Sequence, residues 1–253
     1  AVLKKKEKIS AKLNVIITDY ASHRFWELKP EYVDHYFVAN QEMKYTLMAN
    51  GIEKEKIHVT GIPFSTDFFK DYEKERIYQE FGLDPNKKTI LLFGGGEYGI
   101  SNVKHFYRGL LEVEEDVQIV TIAGKSKKTQ RMFQKLAENT TKKVLILGYT
   151  NQVPELMHIA DLVISKPGGL TTTEIINSQI PFVIINPIPG QEEENANFLL
   201  NNGAAVRIFD ANKSKPFLEN LLKDSVRLDN MRVMQKHIAR PNATKEIVET
   251  ILQ

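Results

Sequence analysis

Leu162-Val163-Ile164-Ser165-Lys166-Pro167-Gly168-Gly169-Leu170-Thr171-Thr172-Thr173-Glu174 is the stretch on which the fold turns. A short apolar run breaks at a proline and two glycines and passes into a segment of helical character, the pattern of a strand-to-helix turn. The glycines clear side chains from the turn. A helix starting at 171–173 presents unpaired backbone N–H groups backed by the positive end of its dipole, a setting that suits an anion. Glu174, about one turn inside that helix, is placed to accept hydrogen bonds from neighbouring hydroxyls such as a ribose diol. The next apolar run, 182–186, leads into Pro187-Ile188-Pro189-Gly190-Gln191-Glu192-Glu193-Glu194-Asn195. Its carboxylates and amide suit several sugar hydroxyls. The plainer alternative for 192–194 is a solvated acidic helix start, since helix N-termini favour carboxylates. Two such loops in tandem point to a nucleotide-sugar site.

Outward from this turn, apolar β-type runs at 89–93, 118–122, 143–147, 162–165, 181–185 and 205–209 alternate with helical patterns at 103–113, 127–139, 153–160, 172–178, 193–202 and 216–223. Hydrophobicity that is continuous rather than alternating marks strands buried on both faces, so these segments predict one complete doubly wound parallel-sheet domain. Three earlier β-type runs, 14–18, 35–39 and 57–60, carry only the helix 41–50 among them. A parallel sheet needs crossovers on both faces, so these strands read as the last part of another α/β domain. Residues 1–62 are therefore expected to be an incomplete N-terminal acceptor domain and 63–240 the donor-binding domain. Gly61 to Asp67 and the charged residues 70–76 read as an interdomain crossover. Arg240-Pro241 interrupts a helical pattern, and 241–253 is expected to return as a terminal helix towards the first domain.

Composition excludes several classes of function. The 253 residues contain no cysteine, which rules out disulfides and thiolate metal sites and fits a cytoplasmic location. A net charge of +2 gives no case for nucleic acid. The apolar runs are all far shorter than the roughly 20 residues of a membrane span. Lys4, Lys5, Lys6, Lys8 and Lys12 form a basic run. Either it is a solvated helix face, or it touches anionic lipid on the cytoplasmic membrane surface.

In open parallel sheets ligands bind beyond the carboxyl ends of the strands, so the loops there are the candidate site. Gly94-Gly95-Gly96-Glu97-Tyr98-Gly99 offers a backbone nest for phosphate oxygens, with a plain tight turn as the alternative. Ala123-Gly124-Lys125 ends the following strand, and Gly148-Tyr149-Thr150 has amides and a ring able to meet a base edge. Both are also ordinary surface turns. In the first region Thr18-Asp19-Tyr20 ends a strand, with His23 and Trp26 following. Asp19 or His23 can act there as a general base on an acceptor hydroxyl. The alternative is that Asp19 caps a helix and that His23 and Trp26 are packing residues. The histidines show no metal-ligand spacing, and neither a P-loop nor a hydrolase elbow occurs.

The paired segments Lys166 to Glu174 and Pro189 to Asn197, with Thr18-Asp19-Tyr20, His23, Trp26 and Val59-Thr60-Gly61-Ile62-Pro63, closely resemble the processive diacylglycerol glucosyltransferases of bacteria and the plant monogalactosyldiacylglycerol synthases. More distantly they are similar to the lipid II N-acetylglucosaminyltransferase. The resemblance implies a two-domain GT-B fold and an inverting, metal-independent transfer from UDP-glucose or UDP-galactose to a lipid acceptor, with no cofactor. It implies that Gly168, Gly169 and Thr171 bind the diphosphate, Glu174 the ribose, Gln191 and Glu192 the hexose, Gly148, Tyr149 and Thr150 the uracil, that Gly95 and Gly96 face the phosphates, and that Lys166 and Pro167 also belong to the UDP-sugar site. Asp19 and His23 are carried over as catalytic candidates near the acceptor. The glycine-rich Gly-Gly-Gly-His loop of that family has no counterpart before Asn14, so the expectation is a truncated chain holding mainly the donor site. Two other functions fit the same motifs: a UDP-N-acetylglucosamine 2-epimerase, and a non-catalytic nucleotide-sugar-binding subunit that needs a partner chain.

Overall fold

The structure, a computed structural model, describes residues 10–94 and 100–252, and only the backbone of 100–102. Three short parallel strands come first, β1 (Asn14–Ile16), β2 (His35–Val38) and β3 (Ile57–Val59), paired in that order. Helix α1 (Gln41–Ala49) joins β2 to β3 and is capped by Asn40, whose Oδ1 accepts from the Met43 amide at 2.8 Å. Helix α2 (Lys74–Phe81) then precedes the larger sheet. Residues 74–76, expected as part of an irregular crossover, open this helix. Ile77, Tyr78 and Phe81 pack it against the core, whereas its first turn is charged and exposed and so reads like the linker before it.

The larger sheet contains β4 (Lys88–Phe93), β5 (Val117–Ile122), β6 (Val144–Leu147), β7 (Leu162–Ser165), β8 (Phe182–Ile185) and β9 (Val206–Ile208), in the order β6-β5-β4-β7-β8-β9 and all parallel. Its helices are α3 (Ile100–Leu111), α4 (Lys127–Ala137), α5 (Val153–His158), α6 (Gly169–Ser178), α7 (Gln191–Asn201), α8 (Ser214–Lys223) and α9 (Ser225–Ile238), with α10 (Ala243–Leu252) at the end. This is the doubly wound order, in which the chain leaves β4 towards one edge and resumes at β7 towards the other.

Side-chain alternation along the strands divides the core. Ile90, Leu92, Ile119, Ile164 and Ile185 pack with Phe106, Tyr107, Phe133, Leu218 and Met231 from α3, α4, α8 and α9. Leu91, Val120, Val163 and Ile184 face α5, α6 and α7. The second cluster is continuous with Ile17, Tyr36, Val38, Met43 and Leu47, so the three-stranded sheet completes its core against the larger domain. That burial is its main source of stability, at roughly 1.5–3 kcal/mol for each large apolar side chain fully removed from water.

The chain returns through a tight junction. Gly61 holds φ at +90°, and a β-carbon there would collide with the Arg240 side chain and lie 3.2 Å from the Ala243 Cβ. Thr244 Oγ1 donates to the Phe64 carbonyl at 3.1 Å and accepts from its amide at 3.3 Å, tying α10 to the segment after β3. Gly61→Ala is expected to lower unfolding free energy by about 2–4 kcal/mol, from left-handed strain and overpacking together, measured as the shift in urea midpoint.

Candidate nucleotide-sugar site

The strand order opens a crevice where the chain reverses between β4 and β7, and the loops beyond their carboxyl ends line it. On the β7 side the helix begins earlier than its threonines suggest. Gly168, with φ −65° and ψ 142°, is the N-cap of α6, and Thr172 N donates to the Gly168 carbonyl at 2.8 Å. The free first-turn N–H groups therefore belong to Gly169, Leu170 and Thr171. No side chain among the described residues caps the helix start. A β-carbon on Gly168 would meet nothing within 4 Å, so the cap faces open space. Gly169 is the opposite case. A β-carbon there would strike the Thr18 carbonyl, so this glycine is required by the close approach of β1's end to the turn.

Glu174 is half-buried on α6 and has no hydrogen-bond partner among the described residues. Burial alone pushes its carboxyl up to about 7. Lys166 is half-buried and Pro167 fully buried at the end of β7.

The β8 loop turns at Gly190, whose φ of 101° and ψ of −125° demand glycine. Gln191 is exposed at the start of α7. Glu192 closes its own loop, one oxygen accepting from the Ile188 amide at 2.7 Å. Glu193, expected among solvated acids, forms a two-pronged ion pair with Arg207 of β9 at 2.6 and 2.9 Å. Arg207 in turn stacks on Phe209. Glu194 alone of the three is an exposed carboxylate without a recorded bond among the described residues.

Beyond β5 and β6 two loops meet. The Lys125 ammonium lies 5.0 Å from the centre of the exposed Tyr149 ring, and a β-carbon on Gly148 would be 3.6 Å from the Gly124 carbonyl. Thr150 turns the chain into α5, its hydroxyl accepting from Gln152 N at 3.0 Å. Gly95 and Gly96 lie outside the described residues.

Across the crevice, Asp19 and His23 stand differently. Asp19 is half-buried, and its Oδ1 accepts from Asn195 Nδ2 at 2.9 Å. His23 is exposed and caps the short 3-10 turn Arg24–Glu27, accepting from Phe25 N at 3.3 Å and stacking on the Phe25 ring. Trp26 is 46% exposed, so it is not part of the packed core. Tyr20 reaches into the larger domain. Its hydroxyl is 3.0 Å from Thr173 Oγ1, its ring stacks on Phe198 at 4.6 Å, and burial pushes its phenol up. Asn195 and Thr173, which make these contacts, carry no signal in the sequence beyond lying in the two motifs.

Comparison with known proteins gives the geometry a family. The glycosyltransferase family 28 C-terminal domain matches residues 89–251, and monogalactosyldiacylglycerol (MGDG) synthase matches residues 1–64. The processive diacylglycerol beta-glucosyltransferase of Bacillus pumilus (strain SAFR-032) is 35% identical over 252 residues, covering 98% of this chain and 64% of that protein. The chain thus spans somewhat under two thirds of the length of that relative. Acinetobacter baumannii MurG has a TM-score of 0.71 at 18% identity, over 97% of this chain and 69% of that one. The UDP-GlcNAc 2-epimerase from Neisseria meningitidis bound to UDP-GlcNAc has a TM-score of 0.74 at 18% identity, over 98% and 71%. These two likenesses establish the GT-B fold, with one complete doubly wound domain and part of a second. With the family's C-terminal domain matched from the first strand of the large sheet to the terminal helix, the chain belongs to glycosyltransferase family 28.

Proposed function

We propose that this chain binds a UDP-hexose along the carboxyl-end loops of the larger sheet and serves an inverting transfer of the hexose to a membrane lipid such as diacylglycerol. The carrying observation is Glu174, a half-buried carboxyl with no partner among the described residues, on the same helix as three uncapped N–H groups. A carboxyl left unpaired at that depth is costly unless a ligand supplies hydroxyls to it.

In this proposal the N–H groups of Gly169, Leu170 and Thr171 and the open space over Gly168 receive the diphosphate, and Glu174 receives the ribose diol. Gln191 and Glu192 meet the hexose, and Gly148, Tyr149 and Thr150 the uracil. Gly95 and Gly96 are assigned to the phosphates by resemblance alone. An acceptor hydroxyl attacks the anomeric carbon from the side of Asp19 and His23, the candidates to take its proton, while UDP departs towards the helix start. Donors already aimed at the departing phosphate need little reorganisation as charge develops there. Glucose is favoured over galactose by the 35% identity to a diacylglycerol beta-glucosyltransferase, and the match to MGDG synthase over 1–64 supports a diacylglycerol acceptor. No helix among the described residues is long and apolar enough to cross a membrane; the proposal places this part of the protein in peripheral contact with lipid.

The raised Glu174 carboxyl has two consequences of opposite sense. A carboxyl whose folded pKa lies above its unfolded value leaves the folded state holding more protons, so its destabilising effect is absent at pH 4, grows as pH rises, and is complete above about 7. Glu174→Gln is therefore expected to stabilise the free protein by about 1–3 kcal/mol at pH 8 and by nothing at pH 4, measured by urea denaturation.

Hydroxyl recognition runs the other way. Two hydroxyls donate best to the ionised carboxylate, so UDP binding should draw a proton off Glu174, and affinity should rise between pH 6 and pH 8. Isothermal titration is expected to show UDP binding that Glu174→Ala weakens by about tenfold or more, near 1.4 kcal/mol. Glu174→Gln should remove the part of the pH dependence that does not come from the phosphate itself. Absence of UDP binding at any pH would sink the proposal. Binding accompanied by 2-epimerisation of UDP-N-acetylglucosamine would replace it with the epimerase.

A further inference from the structure

Asn195 is 0% exposed, and its side-chain amide makes three hydrogen bonds, each to a different loop group at the crevice. Its Nδ2 donates to the Pro167 carbonyl, on the turn before α6, at 2.9 Å and to Asp19 Oδ1 at 2.9 Å. Its Oδ1 accepts from the Tyr20 amide at 2.7 Å. Both amide protons are used, so the geometry leaves no rotation that keeps its partners. Flipping the amide would face oxygen against two acceptors and NH2 against a donor.

The three partners lie in two different parts of the chain. Pro167 belongs to the large sheet's phosphate-facing turn, whereas Asp19 and Tyr20 lie in the bend after β1 of the small sheet. Around the amide the same junction is braced from both sides. Asn40 Nδ2 donates to the Tyr20 carbonyl at 3.0 Å, and Thr173 Oγ1 donates to the Gly169 carbonyl at 2.8 Å while meeting the Tyr20 hydroxyl. With no room for a β-carbon between Gly169 and Thr18, the turn and the strand end are in backbone contact.

We infer that Asn195 is a positioning residue that sets the Asp19 carboxylate and the phosphate-facing turn relative to each other, so that occupancy of the turn by a nucleotide diphosphate is transmitted to the segment 19–27. This rests on the proposed donor site. Because Asn195 is fully buried, it is proposed to act through Asp19 and Pro167 rather than by contact with a ligand. Holding one oxygen of Asp19 fixes the direction of the other, which has no partner among the described residues. A well-satisfied buried amide between two loops has one arrangement rather than a continuum, so a shift of Pro167 is carried to Asp19 and Tyr20 rather than absorbed. A purely apolar residue would fill the same space without that directionality.

The chain supplies its own reporter. Its single tryptophan, Trp26, lies on the turn that follows Asp19 and Tyr20 and is partly open to solvent. UDP binding, measured by calorimetry, is expected to be accompanied by a change in Trp26 emission in the wild-type chain. In Asn195→Ala the emission change should be lost while the UDP dissociation constant moves by less than about fivefold, under 1 kcal/mol. Should that variant fail to fold, Asn195→Ser retains one polar group but cannot hold three partners, and the same comparison is made with it. A wild-type emission that ignores bound UDP overturns the inference, as does a full Trp26 response in a folded Asn195 variant. In both cases the donor site stands, because calorimetry reports binding independently. Failure of wild-type protein to bind UDP overturns the donor site and the inference with it.

Discussion

The pairing of β4 with β7, register Ile90↔Leu162 to Leu92↔Ile164, is the constraint on which the remaining structure depends. Two parallel strands separated by more than seventy residues must be joined by crossovers, and right-handed crossovers leaving in opposite directions place helices on opposite faces. The split core follows, with α3 and α4 on one side and α5, α6 and α7 on the other. Reversal at that pair also leaves the carboxyl ends of β4 and β7 uncovered by any connection between them, which is why the turn 166–169 faces a crevice instead of a helix.

What was legible in the sequence was whatever depends on one segment alone. The strands of the large sheet announce themselves as short, mostly apolar runs, and the central ones are buried throughout; in β5 every residue from Val117 to Ile122 is buried, Gln118 and Thr121 included. Most helices were legible through their apolar faces, but the start of α2 was not, since its first turn, Lys74-Glu75-Arg76, is charged and exposed and the helix meets the core only from Ile77 onward. The start of α6 was misplaced for a different reason. Gly168 and Gly169 are poor helix formers and read as turn, yet Gly169 is helical, and it is glycine because the Thr18 carbonyl excludes any larger residue there. The need for glycine arises across the interface, from a strand end some 150 residues earlier, and local propensity holds no trace of it.

The polar residues of the site divide in the same way. Glu174 could be singled out because a glycine turn followed by a carboxylate is a local pattern, and Gln191 because it directly follows the Pro-Gly of the next loop. Asn195 could not. In Gln-Glu-Glu-Glu-Asn it is one polar residue among several, and its partners Asp19 and Tyr20 are 176 and 175 positions away. Glu193 shows the converse, since a residue that looks like one of three equivalent acids is committed to Arg207 and shapes the sheet edge instead of the crevice. Runs of like residues hide different duties whenever a helix turns each member towards a different neighbour.

The position of Glu174 along α6 explains why one short helix can hold two chemistries. Dipole stabilisation of a negative charge falls away within the first turn, so a carboxylate near Gly169 would be favoured, and would also repel a phosphate there. Glu174 sits five residues further on, an axial rise of about 7–8 Å, beyond most of that field. Burial then dominates and lifts its carboxyl to about 7. In the proposed site the helix start offers its N–H groups to anionic oxygens, and the half-buried carboxyl offers its lone pairs to hydroxyls. A nucleoside diphosphate presents those two kinds of group in series, a ribose diol and then phosphates, along a path of comparable length. Moving the carboxylate one turn earlier would exchange a hydroxyl acceptor for an anion competitor, so in the proposed site it is the separation between Gly169 and Glu174, more than either residue, that would select such a ligand.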